Sequence, residues 1–544
     1  MIVQTLNRPG EYRDSVALML LARELGALPG VVDVSVVMGT PANKAILQQA
    51  GLLTVEANAA TPNDLLIAVK AKDEASARAA IAQAQGLLAH KAASTLATGA
   101  MRPRTMRGVI RATPDANIAV ISVPGQYAAA QAWDTLRAGV DVLLFSDHVT
   151  LEDEIALKEY ARDHGLLLMG PGAGTAIIDG VGLGFANAVP RGNIGIVAAA
   201  GTGLQEVSTL IAKSSAGITQ AIGVGGRDVS EAVGGIMLLE GLKALQADPD
   251  TRVIVVVSKM PSPVVADKIL EQARRSDKPT VLALMTNDKL QMTKVQSPIS
   301  NLQSLASDLR EASAIAVALS RGESMDAARK KLADEDKALE RKARALRRKL
   351  NARQKYLRGL YSGGTLCEET MRLWQQTLNE VWSNAPLDPK FKLVDSNKSK
   401  RHTVVDLGEE EFTIGRPHPM IDNTLRVKRI VKEARDPSVA VIVLDVVIGY
   451  GAHPDPASEL GAAIREAKQI AAKKKRELIV IASVTGTDRD PQNLSRQTKA
   501  LRMAGAVMMN SNAAVAKLAA GIVERRDQAS SRLRRSMTHE RTSV

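Results

Sequence analysis

Residues 193–228 read NIGIVAAAGTGLQEVSTLIAKSSAGITQAIGVGGRD, and no other stretch limits the fold so tightly. A short apolar run, Ile194 to Ala199, leads into the small-residue turn Ala200-Gly201-Thr202-Gly203. An amphipathic segment, Leu204 to Lys213, follows and stops near Gly217. A strand, a glycine turn and a helix in that order aim unpaired backbone N–H groups at an anion. A second apolar run, Thr219 to Val224, ends in Gly225-Gly226-Arg227-Asp228. Two neighbouring strands therefore finish in glycine loops on one edge, the edge at which open parallel α/β sheets bind ligands. The competing reading is that these glycines only shape tight turns.

A chain of 544 residues holds several domains of roughly 100–200 residues each. Hydrophobic residues make up 45% and aromatics 2%, so Ala, Val, Leu, Ile and Gly must build the cores. That palette suits helices on parallel strands. The single cysteine, Cys367, excludes an internal disulfide framework and points to a reducing, cytoplasmic setting. No run of 18 apolar residues predicts a membrane span. The net charge of +13 raises the question of nucleic acid. Residues 321–358 carry 14 basic and 6 acidic side chains, residues 390–401 carry 5 and 1, and residues 524–544 carry 6 and 3. The excess thus lies in connectors and the tail, with few aromatics to stack on bases, so the expectation is no nucleic acid.

Read in order, residues 1–88 form a small α+β, ferredoxin-like module and 89–115 a polar linker. Residues 116–190 alternate as βαβαβ, with Ser146-Asp147-His148 and the GPGAG of 170–174 at strand ends. Residues 191–320 continue the alternation, and Lys259 closes the strand RVIVVVSK. Residues 321–400 read as a charged helical connector holding Gly363-Gly364-Thr365, a further anion cradle at a helix start. Residues 401–523 read as a flavodoxin-like domain containing GRPHPMID (415–422) and YGAHPDP (450–456), and 524–544 as a basic tail. No HExxH, paired CxxC, Walker A or GxSxG motif occurs, and no metal site has credible spacing. Cys367 reads as a buried small residue rather than a nucleophile, and His402, His418 and His453 as loop or substrate-contact residues.

The stretch 193–228, taken with GPGAG, YSGGTL, GRPHPMID, LDVVIGYGA and VTGTDRDPQ, resembles the FdrA family of succinyl-CoA synthetase-like proteins. The resemblance implies α/β architecture of Rossmann and flavodoxin-like parallel-sheet domains. Residues 116–190 would be CoA-binding-like, 191–320 like the α ligase domain, and 401–523 like the carboxyl-terminal domain of the β subunit. The synthetases carry a phosphorylated histidine where this chain reads MTNDKLQMTKVQSPIS, without histidine. The family has an Asp-Cys pair where Gly172-Ala173 stand, and a serine where Ala200 stands. The resemblance implies a subunit of a carbamoyltransferase complex, converting oxalurate and phosphate to oxamate and carbamoyl phosphate in allantoin catabolism. The alternatives are an ATP- and CoA-dependent acyl-CoA synthetase and a non-catalytic scaffold. Under the first reading no cofactor is needed; CoA or ATP enters under the second. Arg227, Arg416 and His418 are the expected catalytic residues. Phosphate and a small carboxylate or ureido substrate are expected at Gly201, Thr202, Gly203, Gly225, Gly226, Asp228, Lys259, Gly363, Gly364, Thr365, Gly451 and His453. The paired cradle is expected from the helices starting at Gly201 and after Gly451. Partner subunits or a homo-oligomer are expected.

Overall fold

The computed structural model describes residues 1–544 except 12, 14, 97–102, 104, 286–302, 414–415 and 525–544. The basic tail, Gly415 and nearly all of the histidine-free loop therefore lie outside the described residues.

The amino-terminal module has strands β1 (Ile2–Arg8), β2 (Val31–Met38) and β3 (Leu65–Ala71) in the order β1-β3-β2, antiparallel throughout. Leu65, Ile67 and Val69 face helices Ser15–Gly26 and Glu74–Leu96, while Leu66 and Ala68 meet Leu47 and Leu52 on the other face. Both faces of the central strand are covered, which is why its first five residues, LLIAV, are all apolar. The last helix reaches Leu96, and Thr105 caps another at Met106–Ala112, so the described parts of the expected linker are largely helical.

Three parallel strands follow, β4 (Ile118–Ile121), β5 (Asp141–Leu144) and β6 (Leu168–Met169). A hairpin of β7 (Thr175–Ile178) and β8 (Val181–Gly184) turns at Asp179-Gly180, both at positive φ. It pairs with the next sheet, so residues 175–184 leave the 116–190 unit to which the sequence reading gave them. That sheet comprises β9 (Arg191–Ala199), β10 (Ile218–Gly223), β11 (Val253–Ser258), β12 (Thr280–Leu284) and β13 (Gln303–Leu305), in the order β13-β12-β11-β9-β10-β7-β8.

The last sheet is all parallel: β14 (Tyr356–Tyr361), β15 (Val381–Ser383), β16 (His402–Asp406), β17 (Val439–Val447), β18 (Ile479–Thr485) and β19 (Val507–Met509) run in the order β15-β16-β14-β17-β18-β19. The expected connector at 321–400 is thus corrected. Its amphipathic helix Met325–Arg347 buries only Leu339 and Ala343, but β14 and β15 belong to this sheet. The reason is the aromatic- and leucine-bearing run YLRGLY, which pairs with β16 on one side and β17 on the other.

One apolar core joins the two large sheets. Ile196 and Val255 from one, and Val443 and Ile481 from the other, share it with Leu204, Leu366, Trp374 and Leu518. Helix Gly201–Lys213 packs on β9 and β18, and on helix Gly364–Gln375. Trp374 Nε1 donates to Ala516 O at 3.1 Å, tying in the helix at 512–524. Close packing of this kind fixes the angle between the sheets.

Candidate anion-binding site

The carboxyl ends of parallel strands from the three-stranded sheet and from both large sheets open on one cleft of about 660 Å³. β9 and β14 each run straight into a helix, Gly201–Lys213 and Gly364–Gln375, whose first turns touch. A Cβ on Gly203 would lie 2.8 Å from Thr365 Cγ2, and one on Gly363 would lie 2.9 Å from Thr202 Cβ. Only glycine permits this approach. Ala200 and Gly363 stand at the N-cap positions, and neither helix has a side-chain cap. Their orphan N–H groups and positive dipole ends are therefore left open toward the cleft, an arrangement that suits an anion. Helix Gly125–Leu136, also without a side-chain cap, starts on the same cleft.

Asp445 shapes the second turn. Its buried carboxylate accepts from Ser362 N at 2.9 Å, Gly363 N at 2.8 Å and Ser362 Oγ at 3.0 Å, and pairs with buried Arg426 at 3.0 Å.

Three titratable groups converge beside that turn. A Cβ on Gly364 would sit 2.8 Å from Asp406 Oδ2 and 3.7 Å from Lys259 Nζ; one on Gly408 would sit 2.8 Å from His418 Nε2 and 3.1 Å from Asp406 Oδ1. Burial, then the charge of Glu409, pushes Asp406 up to about 7, against the opposing Gly408 N–H and Lys259. Burial and then Arg426 push His418 down to about 4, so it is neutral at pH 7. His418 Nδ1 accepts from Met420 N at 3.2 Å, which leaves the proton on Nε2, facing the cleft. Burial also raises Asp147, whose Oδ1 occupies the space beside Gly172, 2.5 Å from where a Cβ there would lie. Across the rim His148, held at φ 61°, meets Glu410 Oε1 at 2.8 Å.

The structure gathers Gly201, Thr202, Gly225, Gly226, Lys259, Gly364, Thr365 and His418 on the cleft, with Gly203 and Gly363 at the helix contact behind. Gly225 has φ 83°, and a Cβ there would strike Pro171 O at 2.4 Å. Five expected residues are placed elsewhere. Arg227 turns to Glu154 and Val149 O at 2.8 and 2.7 Å. Asp228 is buried on Lys158 at 2.7 Å and caps helix Ile236–Ala247 through Met237 N and Leu238 N. Arg416 is exposed and outside the cleft lining. Gly451 packs toward Phe185, and His453 binds Glu459 at 3.3 Å, both behind the wall. The paired cradle is accordingly corrected: helix Pro456–Lys473 has no N–H at Pro456, and its Ala457 N donates to Gln497 Oε1 at 2.9 Å, so it offers the cleft nothing. Its place is taken by Gly363–Thr365. Sequence reasoning missed Asp406 and Asp445 and marked Asp147 only as part of a strand-end triplet; the signal for the first was its position at the carboxyl end of TVVD. Cys367 is buried, with its thiol raised well above the usual range. Among the described residues, no group of three or more His, Cys, Asp or Glu is placed to hold a metal ion.

Replacing Lys259 with Gln is expected to weaken inorganic phosphate binding about 10-fold or more, the worth of one charge-assisted bond. Calorimetric titration reads this; an unchanged affinity would remove Lys259 from the site.

Residues 360–523 match the family model described as CoA-ligase, residues 190–283 that of a CoA binding domain, and residues 1–103 that of the AllF heavy metal-associated domain. The chain thus has succinyl-CoA synthetase-like CoA-binding and CoA-ligase domains behind a ferredoxin-like module. It is 43% identical over 514 residues to the uncharacterized protein YahF of Escherichia coli (strain K12), covering 94% of this chain and 97% of that one, and it belongs to the same family. It is 27% identical over 149 residues to the succinate–CoA ligase [ADP-forming] subunit alpha of Methanothermobacter thermautotrophicus, covering 27% of this chain and 50% of the subunit. The chain thus spans about half the length of that curated ligase subunit. The dinucleotide-forming acetyl-coenzyme A synthetase 1 of Ca. Korarchaeum cryptofilum, in its apo form, aligns at 15% identity over 76% of this chain and 84% of that one, with a TM-score of 0.31. The fold assignment rests on the strand orders above. The only cysteine is Cys367, so residues 1–103 offer a heavy metal no thiolate. Among the described residues no helix is long and apolar enough to cross a membrane.

Proposed function

We propose that this chain carries the acyl-phosphate step of a CoA-ligase-type enzyme, moving an acyl group between a thioester and inorganic phosphate. The observation that carries the reading is the meeting of two uncapped helix N-termini beside Lys259 in the cleft. Phosphate sits against the Gly201 and Gly364 turns. One of its oxygens bonds to the acyl carbonyl carbon, and the bond to the leaving sulfur breaks. Asp406, raised to about 7 and so about half protonated near neutral pH, gives its proton to the leaving group and regains one from the hydrogenphosphate, so charge and protons balance. Lys259 and the His418 Nε2–H stabilise negative charge on phosphate and carbonyl oxygen. The CoA-ligase and CoA-binding matches support this class of donor.

A second reading keeps the same step with a ureido carbonyl as donor, giving carbamoyl phosphate. The absence of histidine from 285–300 favours it, because no phosphoenzyme is then required. Either reading calls for partner subunits. The test incubates the chain, alone and with co-purified partners, with phosphate and either succinyl-CoA or oxalurate, trapping acyl phosphate with hydroxylamine. A phosphate-dependent hydroxamate from one donor selects between the readings. No product from either, with no phosphate bound at the cleft, sinks both.

A further inference from the structure

A second concavity, of about 850 Å³, lies at the other end of helix Gly201–Lys213, roughly 18 Å along its axis from the cleft. Helices Leu309–Ser320, Met325–Arg347 and Leu494–Met503, with β19, complete its walls. Its lining holds six cations, Lys213, Arg310, Arg321, Lys331, Lys499 and Arg502, against two acids, Glu323 and Glu335. Three of the cations are occupied within the fold. Lys213 Nζ donates to Val484 O at 2.8 Å, Arg321 donates to Ser214 O, and Arg310 pairs with Glu335 and Asp336. Among the described residues Lys331, Lys499 and Arg502 have no ion-pair partner, although they face one space from two different helices. Lys342 lies close by, and burial followed by the Arg502 charge pushes its ammonium below the ordinary value. The fold therefore gathers like charges here without neutralising them. The floor is apolar: Leu210, Val317, Leu332, Met508 and Met509.

The geometry points to a binding site for a small phosphate ester, whose phosphates meet Lys331, Lys499 and Arg502 while an apolar arm lies on Met508 and Val317. A volume of this size matches small-molecule pockets, and a solvated charged face has neither the concavity nor the apolar floor. The charged helix Met325–Arg347 thereby gains a role that its amphipathic pattern did not reveal. The site is separate from the cleft and does not depend on the acyl-phosphate reading.

The test is calorimetric titration of the full chain with ADP and with inorganic pyrophosphate, at low and at 0.2 M salt. ADP is expected to bind once per chain, more tightly than pyrophosphate, and to weaken as salt rises. The double variant K331Q/R502Q should lose at least 10-fold in that affinity while retaining its phosphate affinity at the cleft and its melting temperature. K259Q should leave ADP binding unchanged. Failure of both probes to bind at millimolar concentration overturns the proposal. So does undiminished ADP binding by K331Q/R502Q, or loss of that binding in K259Q, which would put ADP in the cleft.

Discussion

Asp445→Ala is expected to lower the melting temperature by roughly 10 °C and to remove phosphate binding at the cleft. Arg426 is 2% exposed, and Asp445 is the carboxylate paired with its guanidinium, so the substitution strands a buried charge at a cost of about 3–5 kcal/mol. The same change releases Ser362 N and Gly363 N, which Asp445 holds at 2.9 and 2.8 Å. The Gly363-Gly364 turn then loses the geometry that points it at Gly201. The double variant D445A/R426M separates the two effects. Removing both charges should restore much of the stability, because an apolar replacement of a buried pair is often nearly neutral, yet phosphate binding should stay weak. Thermal melts and phosphate titration check this. A D445A protein melting within about 2 °C of the parent would show that the pair does not hold the turn.

Asp406→Asn should give the opposite pairing: a more stable protein with little activity. The carboxyl is raised in the fold to about 7, from an ordinary value near 3.8. The folded state therefore keeps a proton that the unfolded chain has released, and stability falls as pH rises from about 4 to 7. Asparagine has no such penalty, so the variant should gain roughly 2–4 kcal/mol at pH 8 and almost nothing near pH 4. Glu369, also pushed up to about 7 by burial and Asp308, remains in both proteins, so their difference isolates Asp406. As proton donor Asp406 must be protonated, so the parent rate should decline as pH rises past about 7. In the variant kcat should drop about 100-fold or more and that limb of the profile should vanish. Melts at pH 5 and 8 and a pH–rate profile measure both. An unchanged profile would take the proton role from Asp406.

Much of this molecule can be read from its chain. Apolar runs of strand length, each followed by glycine and then helical spacing, announce parallel sheets with a ligand edge at the strand ends. Gly201, Gly225 and Lys259 lie on the cleft at the strand ends where that rule puts them, because each is a local consequence of where a strand stops. Two kinds of residue escaped it. Asp228 and Arg227 sit in a glycine loop, yet the loop turns them inward to Lys158 and Glu154, an outcome set by residues about 70 positions away. Asp406 follows an ordinary strand with no motif, and only burial beside Glu409 and Lys259 gives it chemistry.

The stretch 193–228 by itself determined one uncapped helix N-terminus at the end of a strand, since glycines and alanine leave its N–H groups without a side-chain acceptor. It did not determine what that N-terminus would face. Residues 356–375 and 439–473 carry the same strand, glycine turn and helix, and by pattern either could complete the cradle. The shared core of the two large sheets chose Gly363–Thr365, where two glycines let the helix ends touch. Gln497 satisfied the other helix at Ala457 and removed it from the site. Backbone hydrogen-bonding capacity is written locally, but whether it is satisfied within the fold or kept for a ligand depends on partners that only packing supplies.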